Sequence, residues 1–294
     1  MCSFVDVPIN FDSLEKAENE GRFMAETVNL SNEVIHNVAL LSGSRESEEL
    51  LSRKEAIICG LLIRITKLFQ SFAKLVTQRD SVGATFLYRG ITDCIIDMEF
   101  LIKRDDDDLF DEFVQHGLYA EVKKMNTIGE RIQDREAMPI EKRILSGIER
   151  DILRSGYSVQ EVKAFPPKKN NRWKNLNSLD KIKALGYEDM YLFSQITGNN
   201  LIHSNWPTLL SQHLTYDEGK YVPKYEDMPV RPQMLLTVQT LICRGALRYI
   251  SYMYSSEALK EYLSIVFENT LSKIAKIDEL HEAYLIKRME CSTK

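Results

Sequence analysis

The chain has 294 residues and a formal net charge of −5, with 44% apolar and 28% charged residues. This composition is typical of a folded protein with a sizeable core, and it excludes disorder over most of the chain. The acidic balance provides no general positive field, so any nucleic-acid site has to be a local patch.

The first residues and the cysteines both indicate a cytoplasmic protein. Residues 1–10 carry Asp6 and lack the basic and apolar segments of a signal peptide. The longest strongly apolar run, residues 56–63, is too short to span a bilayer. The five cysteines are scattered without close pairs, which is typical of buried thiols in a reducing compartment. We therefore expect a cytoplasmic location and no membrane contact.

Proline spacing predicts where long helices can form. No proline lies between Ile9 and Met138, whereas six of the eight prolines fall in the stretch from Phe165 to Pro232. Because proline interrupts helices, the first half can form long helices and the later region must be broken up. Apolar residues spaced three and four apart predict helices over residues 12–41, about 44–78, 82–103, 109–135 and 139–154.

The later region predicts shorter elements and then two long helices. We expect a loop over 165–175, helices over 178–185 and 188–203, a small hairpin near 214–225, and helices over 232–254 and 256–289. The predicted fold is all-α, an antiparallel multi-helix bundle. We expect one domain over residues 1–294, with core helices in 12–155 and 232–289 and a loop-rich insertion at 156–231.

The predicted helix over residues 82–103 carries two charges within an apolar surface. Phe86 and Phe100 flank Arg89 and Asp93 on the side opposite the main apolar stripe. We therefore expect a central helix covered on both sides, with Arg89 and Asp93, four residues apart, buried and paired. The pair is interpreted either as a structural ion pair or as part of a site in a crevice between helices.

A second candidate is His203, at the carboxyl end of the predicted helix 188–203. The helix dipole at that end favours a charged imidazole, so His203 is either a capping or core histidine or a titratable group that faces Arg89 and Asp93. The candidate catalytic residues are therefore Arg89, Asp93 and His203. The same predicted helix supplies the candidate ligand-binding residues Tyr191, Asn199 and Asn200.

The loop at residues 168–174 is the best local candidate for RNA binding. Lys169 and Arg172 could hold phosphates while Trp173 stacks on a base, although a solvated loop with a docked tryptophan has the same composition. The histidines and cysteines lack metal-ligand spacing, and no phosphate-binding, dinucleotide or serine-hydrolase motif is present. We therefore expect no metal and no cofactor.

The segments 86–93 and 98–103 resemble the core helix of a large family of uncharacterised, all-helical bacterial proteins, the domain-of-unknown-function family DUF5677. That helix has an arginine, an acidic residue four positions later, and an apolar stretch that ends in an aromatic–leucine pair. Arg89, Asp93 and the pair Phe100–Leu101 match this pattern.

The second hallmark of that family is a tryptophan, followed by a tyrosine-rich helix that ends in Ser/Asn-x-x-x-His. Trp173, Tyr187, Tyr191 and the segment 199–203 match it, so the resemblance spans about residues 50–215. Members are found among mobile and defence-related bacterial genes. The resemblance therefore implies an interaction or sensor module of a defence or toxin-type system, which binds a partner protein or a small ligand.

More distantly, the chain resembles the HEPN helical-bundle ribonucleases, whose motif is Arg, a polar residue, three more residues, and His. Asn199 and His203 match, but Gly198 stands where the arginine belongs, so Arg89 would have to replace it. This resemblance implies an alternative, a metal-independent ribonuclease with His203 as general acid or base. A third possibility is a scaffold that self-associates through its long helices.

Overall fold

The computed structural model describes residues 3–44, 50–165, 176–188, 206–226 and 230–292. The all-α prediction is confirmed, because these ranges form eleven helices and one two-stranded hairpin. The elements are α1 Phe11–Glu15, α2 Glu20–Gly43, α3 Arg53–Thr77, α4 Ser81–Arg104, α5 Asp107–Arg131, α6 Pro139–Arg154, α7 Val159–Lys163, α8 Ser178–Leu185, α9 Trp206–Gln212, β1 Leu214–Asp217, β2 Lys220–Pro223, α10 Pro232–Met253 and α11 Glu257–Ser292.

The first predicted helix, 12–41, is wrong as one element. It is two helices, because α1 ends at Glu15 and Asn19 takes up an extended backbone before α2 begins. Asn10 caps α1 by accepting a 3.0 Å hydrogen bond from the backbone N–H of Ser13. No proline lies between α1 and α2, so the spacing of apolar residues concealed the break.

Helix α3 begins later than predicted, at a capping box. The backbone N–H of Glu55 donates to the Ser52 hydroxyl at 3.3 Å, and the backbone N–H of Ser52 donates to the Glu55 carboxylate at 2.7 Å. These hydrogen bonds hold the pKa of Glu55 below its usual value. The predicted helix 188–203 lies almost wholly outside the described residues.

The contacts divide the chain into two compact units. The larger comprises Met1–Lys103 and Lys181–Lys294, and the smaller comprises Arg104–Asp180. In the larger unit α10 packs against α11, α2 and α3. In the smaller unit α5, α6 and α7 enclose a separate apolar cluster formed by Leu118, Val122, Met125, Ile148, Ile152 and Val162. One domain over residues 1–294 stays a prediction.

Helix α3 shows why the core helices are so apolar. Within the described ranges it is the one helix that is long and apolar enough to cross a membrane. Its stripe of Ile58, Leu62, Ile65 and Phe69 is fully buried, and α3 packs on α2 and α10. A helix buried in a protein core has the same composition as a membrane span, and these contacts place α3 in a core.

The predicted hairpin near 214–225 is confirmed. β1 and β2 pair antiparallel, with Tyr216 opposite Tyr221. The turn residues Glu218 and Gly219 both have positive φ angles, 43° and 83°, as a two-residue type I′ hairpin turn requires. The Trp206 ring packs edge-on against Tyr221, with ring centroids 5.3 Å apart.

Candidate functional site

The predicted pairing of Arg89 with Asp93 is confirmed, but the predicted burial holds for only one of the two. Arg89 Nε donates to Asp93 Oδ2 at 2.8 Å, and the side chains are 14% and 40% exposed. The prediction that the whole helix is covered on both sides is also wrong, because Phe86 is 48% exposed although Ile96 and Phe100 are buried. This face of α4 reaches the surface.

The other candidate site residues have no described position. His203, Asn199, Asn200 and Tyr191, together with Lys169, Arg172 and Trp173 of the basic loop at 168–174, all lie outside the described residues. Their proposed roles, including RNA binding by the loop, stay predictions.

A second ion pair lies one turn further along α4. Lys181 of α8 donates to Asp97 at 2.7 Å, and its side chain is only 7% exposed. Burial lowers the pKa of Lys181, while the carboxylates of Asp97 and Asp93 act in the opposite direction. Asp97 therefore compensates a cation that the fold has removed from water.

Between these two pairs, Cys94 lies near a cation from α3. Burial raises the pKa of the Cys94 thiol, and the charge and hydrogen bonding of Arg64 partly offset that effect. A thiol with a raised pKa stays protonated at neutral pH and is a weak nucleophile. Cys94 is therefore a packing residue beside the ion pairs.

On the core side of α4 lies a carboxylate that no expectation included. Glu99 is fully buried, and its Oε2 accepts a 2.8 Å hydrogen bond from the Tyr187 hydroxyl. Arg248 of α10 places its Nε 2.7 Å from the same oxygen. Burial raises the pKa of Glu99, an effect that Tyr187, Arg248 and Arg244 oppose. Oε1 of Glu99 is buried and has no hydrogen-bond partner within the described ranges.

The end of α8 positions Tyr187. Gly186 adopts a left-handed φ of 78°, and the Tyr187 N–H then closes the turn on the Ile182 carbonyl at 3.0 Å. Lys103 of α4 donates to the Ala184 carbonyl at 2.6 Å and ties this turn to α4. Because glycine adopts a positive φ without strain, the chain can reverse immediately before the tyrosine.

A glycine also allows α10 to approach Glu99. A Cβ atom at position 245 would lie 3.1 Å from Met98 Cε and 3.7 Å from Glu99 Oε1. The missing side chain brings the two helices close together. Arg248, one turn after Gly245, then reaches the buried carboxylate.

Residues 55–221 match the family of unknown function DUF5677. The chain belongs to this family. The match contains α4 and α8, whereas α10 with Arg244 and Arg248 lies outside the matched residues. The curated proteins and the solved structures gave no match to this DUF5677 chain.

Sequence reasoning missed the residues of this DUF5677 protein that hold the buried charges. A lone carboxylate between Met98 and Phe100 was a signal for Glu99, since an apolar helix face rarely accommodates an unpaired charge. Lys181 and Arg248 had no comparable signal, because both lie far along the chain from α4. Within the described residues, no three His, Cys, Asp or Glu side chains are grouped to hold a metal ion.

Proposed function

We propose that this DUF5677 protein is a helical binding module that recognises an anionic group, carried by a small ligand or by a partner protein, at Arg244 and Arg248 of α10. The single observation that carries the proposal is the anchoring of Arg248 by the buried Glu99 at 2.7 Å. A guanidinium has five N–H donors, and Glu99 with Tyr187 cannot take all of them. Arg248 is 39% exposed, so it is held in one orientation at the surface.

The surroundings of Arg248 support an anionic ligand. Arg244 lies one turn earlier on α10, is exposed, and acts electrostatically on Glu99. Glu99 supplies at most one negative charge for these two arginines, so the pair retains an excess positive charge that an anionic ligand can neutralise. Buried ion pairs contribute little net stability. The contacts of Glu99 and Tyr187 with Arg248 are therefore better explained by the orientation they give the guanidinium than by a gain in stability.

Arg244 also lines a groove that can take the rest of a ligand. The groove has a volume of about 410 Å³ and lies between α10 and α11. Thr237 and Thr240 provide hydroxyl groups there, and Leu271 and Ile274 provide apolar surface. The Asp278 carboxyl group, whose pKa burial raises, also lines the groove. This size is typical of pockets for small molecules. We therefore expect a ligand with an anionic end and a partly apolar body.

Thermal shift measurements test the proposal. The probes are inorganic phosphate, AMP, ATP and decanoate for a small ligand, and a ten-residue glutamate peptide for a partner protein. A probe present at about 100 times its Kd stabilises the folded state by roughly 2.7 kcal/mol, which raises Tm by several degrees. We expect at least one probe to do so.

The matched variants for this test are Arg248→Met and Lys142→Met. Arg248→Met should abolish the thermal shift, whereas Lys142→Met removes an exposed cation on α6 and should preserve it. A shift with the peptide alone would assign the site to a partner protein. No shift with any probe, or a shift that survives Arg248→Met, would overturn the proposal.

The ribonuclease alternative requires Arg89 and His203 around one phosphate. Arg89 is only 14% exposed and is already bonded to Asp93, which counts against it. Incubating the protein with mixed RNA in EDTA tests this alternative. Cleavage that His203→Ala abolishes would replace the binding proposal.

We also propose that the protein works in the cytoplasm as part of a bacterial defence or toxin-type system. The support is the resemblance of α4 to helices of that family, together with the scattered cysteines. Self-association through the long helices α2 and α11 belongs to the same proposal, and sedimentation equilibrium tests it. Cell fractionation tests the location, and phage infection of cells with and without the gene tests the defence role.

A further inference from the structure

Residues 3–7 lie along helices α2 and α11 without forming a helix or a strand. Every second residue of the segment, Ser3, Val5 and Val7, has backbone groups that lie within hydrogen-bonding distance of side chains of the two helices. His36 Nε2 lies 3.0 Å from the Ser3 carbonyl, and the backbones of Val5 and Val7 each make two hydrogen bonds to side chains. A repeat of two residues is that of an extended chain, so this segment is bound as an extended peptide.

Asn37 of α2 holds one residue of the segment from both sides. The Val5 N–H donates to Asn37 Oδ1 at 2.8 Å, and Asn37 Nδ2 donates to the Val5 carbonyl at 2.9 Å. The Asn37 side chain is completely buried. The buried side-chain amide of Asn37 uses both its N–H donor and its oxygen acceptor to bind the backbone of one residue. This is how a side chain recognises an extended main chain.

Two further side chains hold the next alternate residue. The Val7 N–H donates to Glu33 at 2.6 Å, and Lys273 of α11 donates to the Val7 carbonyl at 2.8 Å. Glu33 is 2% exposed and is held from behind by Lys273 at 2.7 Å and by Thr270 at 2.8 Å. Placing these charges in the interior costs desolvation energy, which apolar packing of the segment would have avoided.

The groove also contacts two side chains of the segment, Phe4 and Asp6. Asp6 forms an ion pair with Lys273, and the Phe4 ring packs edge-on against Tyr262, with centroids 6.3 Å apart. Phe4 and Asp6 are two residues apart, so an extended chain directs both to the same side. The groove therefore offers an aromatic contact and, two positions later, a cation for an acidic side chain that is itself 86% exposed.

We infer that the groove formed by Asn37, Glu33, Lys273 and Tyr262 is a recognition site for an extended peptide of a partner protein with the pattern aromatic-x-acidic, and that residues 3–7 occupy it in cis. A short tether gives the cis segment an effective concentration of about 1 mM or more, so a partner peptide must displace it. This site is separate from the arginines of α10, and the two proposals stand independently.

The test uses the full chain and a labelled peptide with the sequence of residues 3–10, measured by fluorescence anisotropy. Asp6→Lys places two cations together, which should release the cis segment and leave the groove residues unchanged. We expect the peptide to bind the Asp6→Lys chain at least ten-fold more tightly than the wild-type chain. The control chain Asp134→Lys makes the same change of charge at an exposed position and should behave like wild type.

Two peptide variants test the recognition pattern. Peptides with Asp6→Lys or with Phe4→Ala should bind the released chain at least ten-fold more weakly. Melting followed by circular dichroism checks that the Asp6→Lys chain is folded, and a Phe4→Ala chain provides a second way to release the segment. Equal binding of the Asp6→Lys peptide, or no binding to either released chain, would overturn the inference. A wild-type dimer that Asp6→Lys dissolves would also overturn it, because a second copy would then be the occupant.

Discussion

The hydroxyl of Tyr187 donates a 2.8 Å hydrogen bond to Glu99, a carboxylate with no exposed surface. The two residues are 88 positions apart in the chain. Arg248 shares the same carboxylate oxygen and carries its charge to the surface. Glu99 therefore acts as an internal support that fixes a phenol and a guanidinium, and the first prediction below follows from that role.

The first prediction concerns the pH dependence of stability. Burial raises the pKa of Glu99 above its ordinary 4.5, so the folded protein retains this proton to a higher pH than the unfolded chain does. The stabilisation from that proton is complete below about pH 4.5 and is lost as the pH rises through the folded pKa. Glu99→Gln cannot titrate, so its melting temperature should improve relative to wild type as the pH rises.

The measurement is a series of thermal melts from about pH 4.5 to pH 8. Glu268→Gln, at an exposed position of α11, is the matched control and should follow the wild-type curve. Parallel curves for Glu99→Gln and wild type would show that Glu99 has its ordinary pKa in the folded protein.

The second prediction concerns the Lys181–Asp97 pair. Asp97→Asn leaves a cation that is 7% exposed without its carboxylate, and it should destabilise the protein by about 2–4 kcal/mol. Adding Lys181→Met should recover more than half of that loss, because the double variant no longer buries a charge. Urea denaturation of both variants measures the difference. The exposed pair Lys142–Glu136 is the control, and Glu136→Gln should cost less than about 0.5 kcal/mol.

The third prediction concerns the substitution Arg89→Ala. If both Arg89 and Asp93 were buried, this change would lower the free energy of unfolding by about 3–5 kcal/mol. Asp93 is 40% exposed, so water can solvate it when its partner is removed. Arg89→Ala should therefore cost about 1–2 kcal/mol, mostly from lost packing of the arginine stem. Chemical denaturation decides between the two values. A loss above about 3 kcal/mol would mean that the pair behaves as a buried one.

The fourth prediction compares two helical glycines of the larger unit. Gly60 of α3 is exposed, with open space where a Cβ would lie, so Gly60→Ala should stabilise the protein by up to about 1 kcal/mol. A Cβ on Gly245 would lie 3.1 Å from Met98, and overpacking typically costs about 1–3 kcal/mol. Gly245→Ala should therefore be the less stable of the two variants by at least about 1 kcal/mol. Equal stabilities would show that α4 and α10 can move apart freely.

The helices of this protein could largely be predicted from its sequence, whereas the arrangement around Glu99 could not. Pro139 and Pro232 occupy the first turns of α6 and α10, and proline is tolerated only there in a helix, so both starts were readable. The break between α1 and α2 depends on the extended backbone of Asn19. Other polar residues can adopt the same conformation, so the residue type alone does not predict the break. The site depends on tertiary contacts between α4, α8 and α10, and neither spacing nor composition records which distant residue will face a buried carboxylate.

The bond between Lys103 and the Ala184 carbonyl has a consequence for the evolution of the chain. It joins the last residue before the smaller unit to a residue just after it, at 2.6 Å between the two atoms. The chain therefore leaves the larger unit and returns to it at nearly the same place, which is the geometry of an inserted domain. A relative can lengthen, shorten or exchange the smaller unit, Arg104–Asp180, without moving Glu99, Tyr187 or Arg248. Such proteins can therefore diverge by replacing the whole smaller unit, while the ion pair between Glu99 and Arg248 is inherited unchanged.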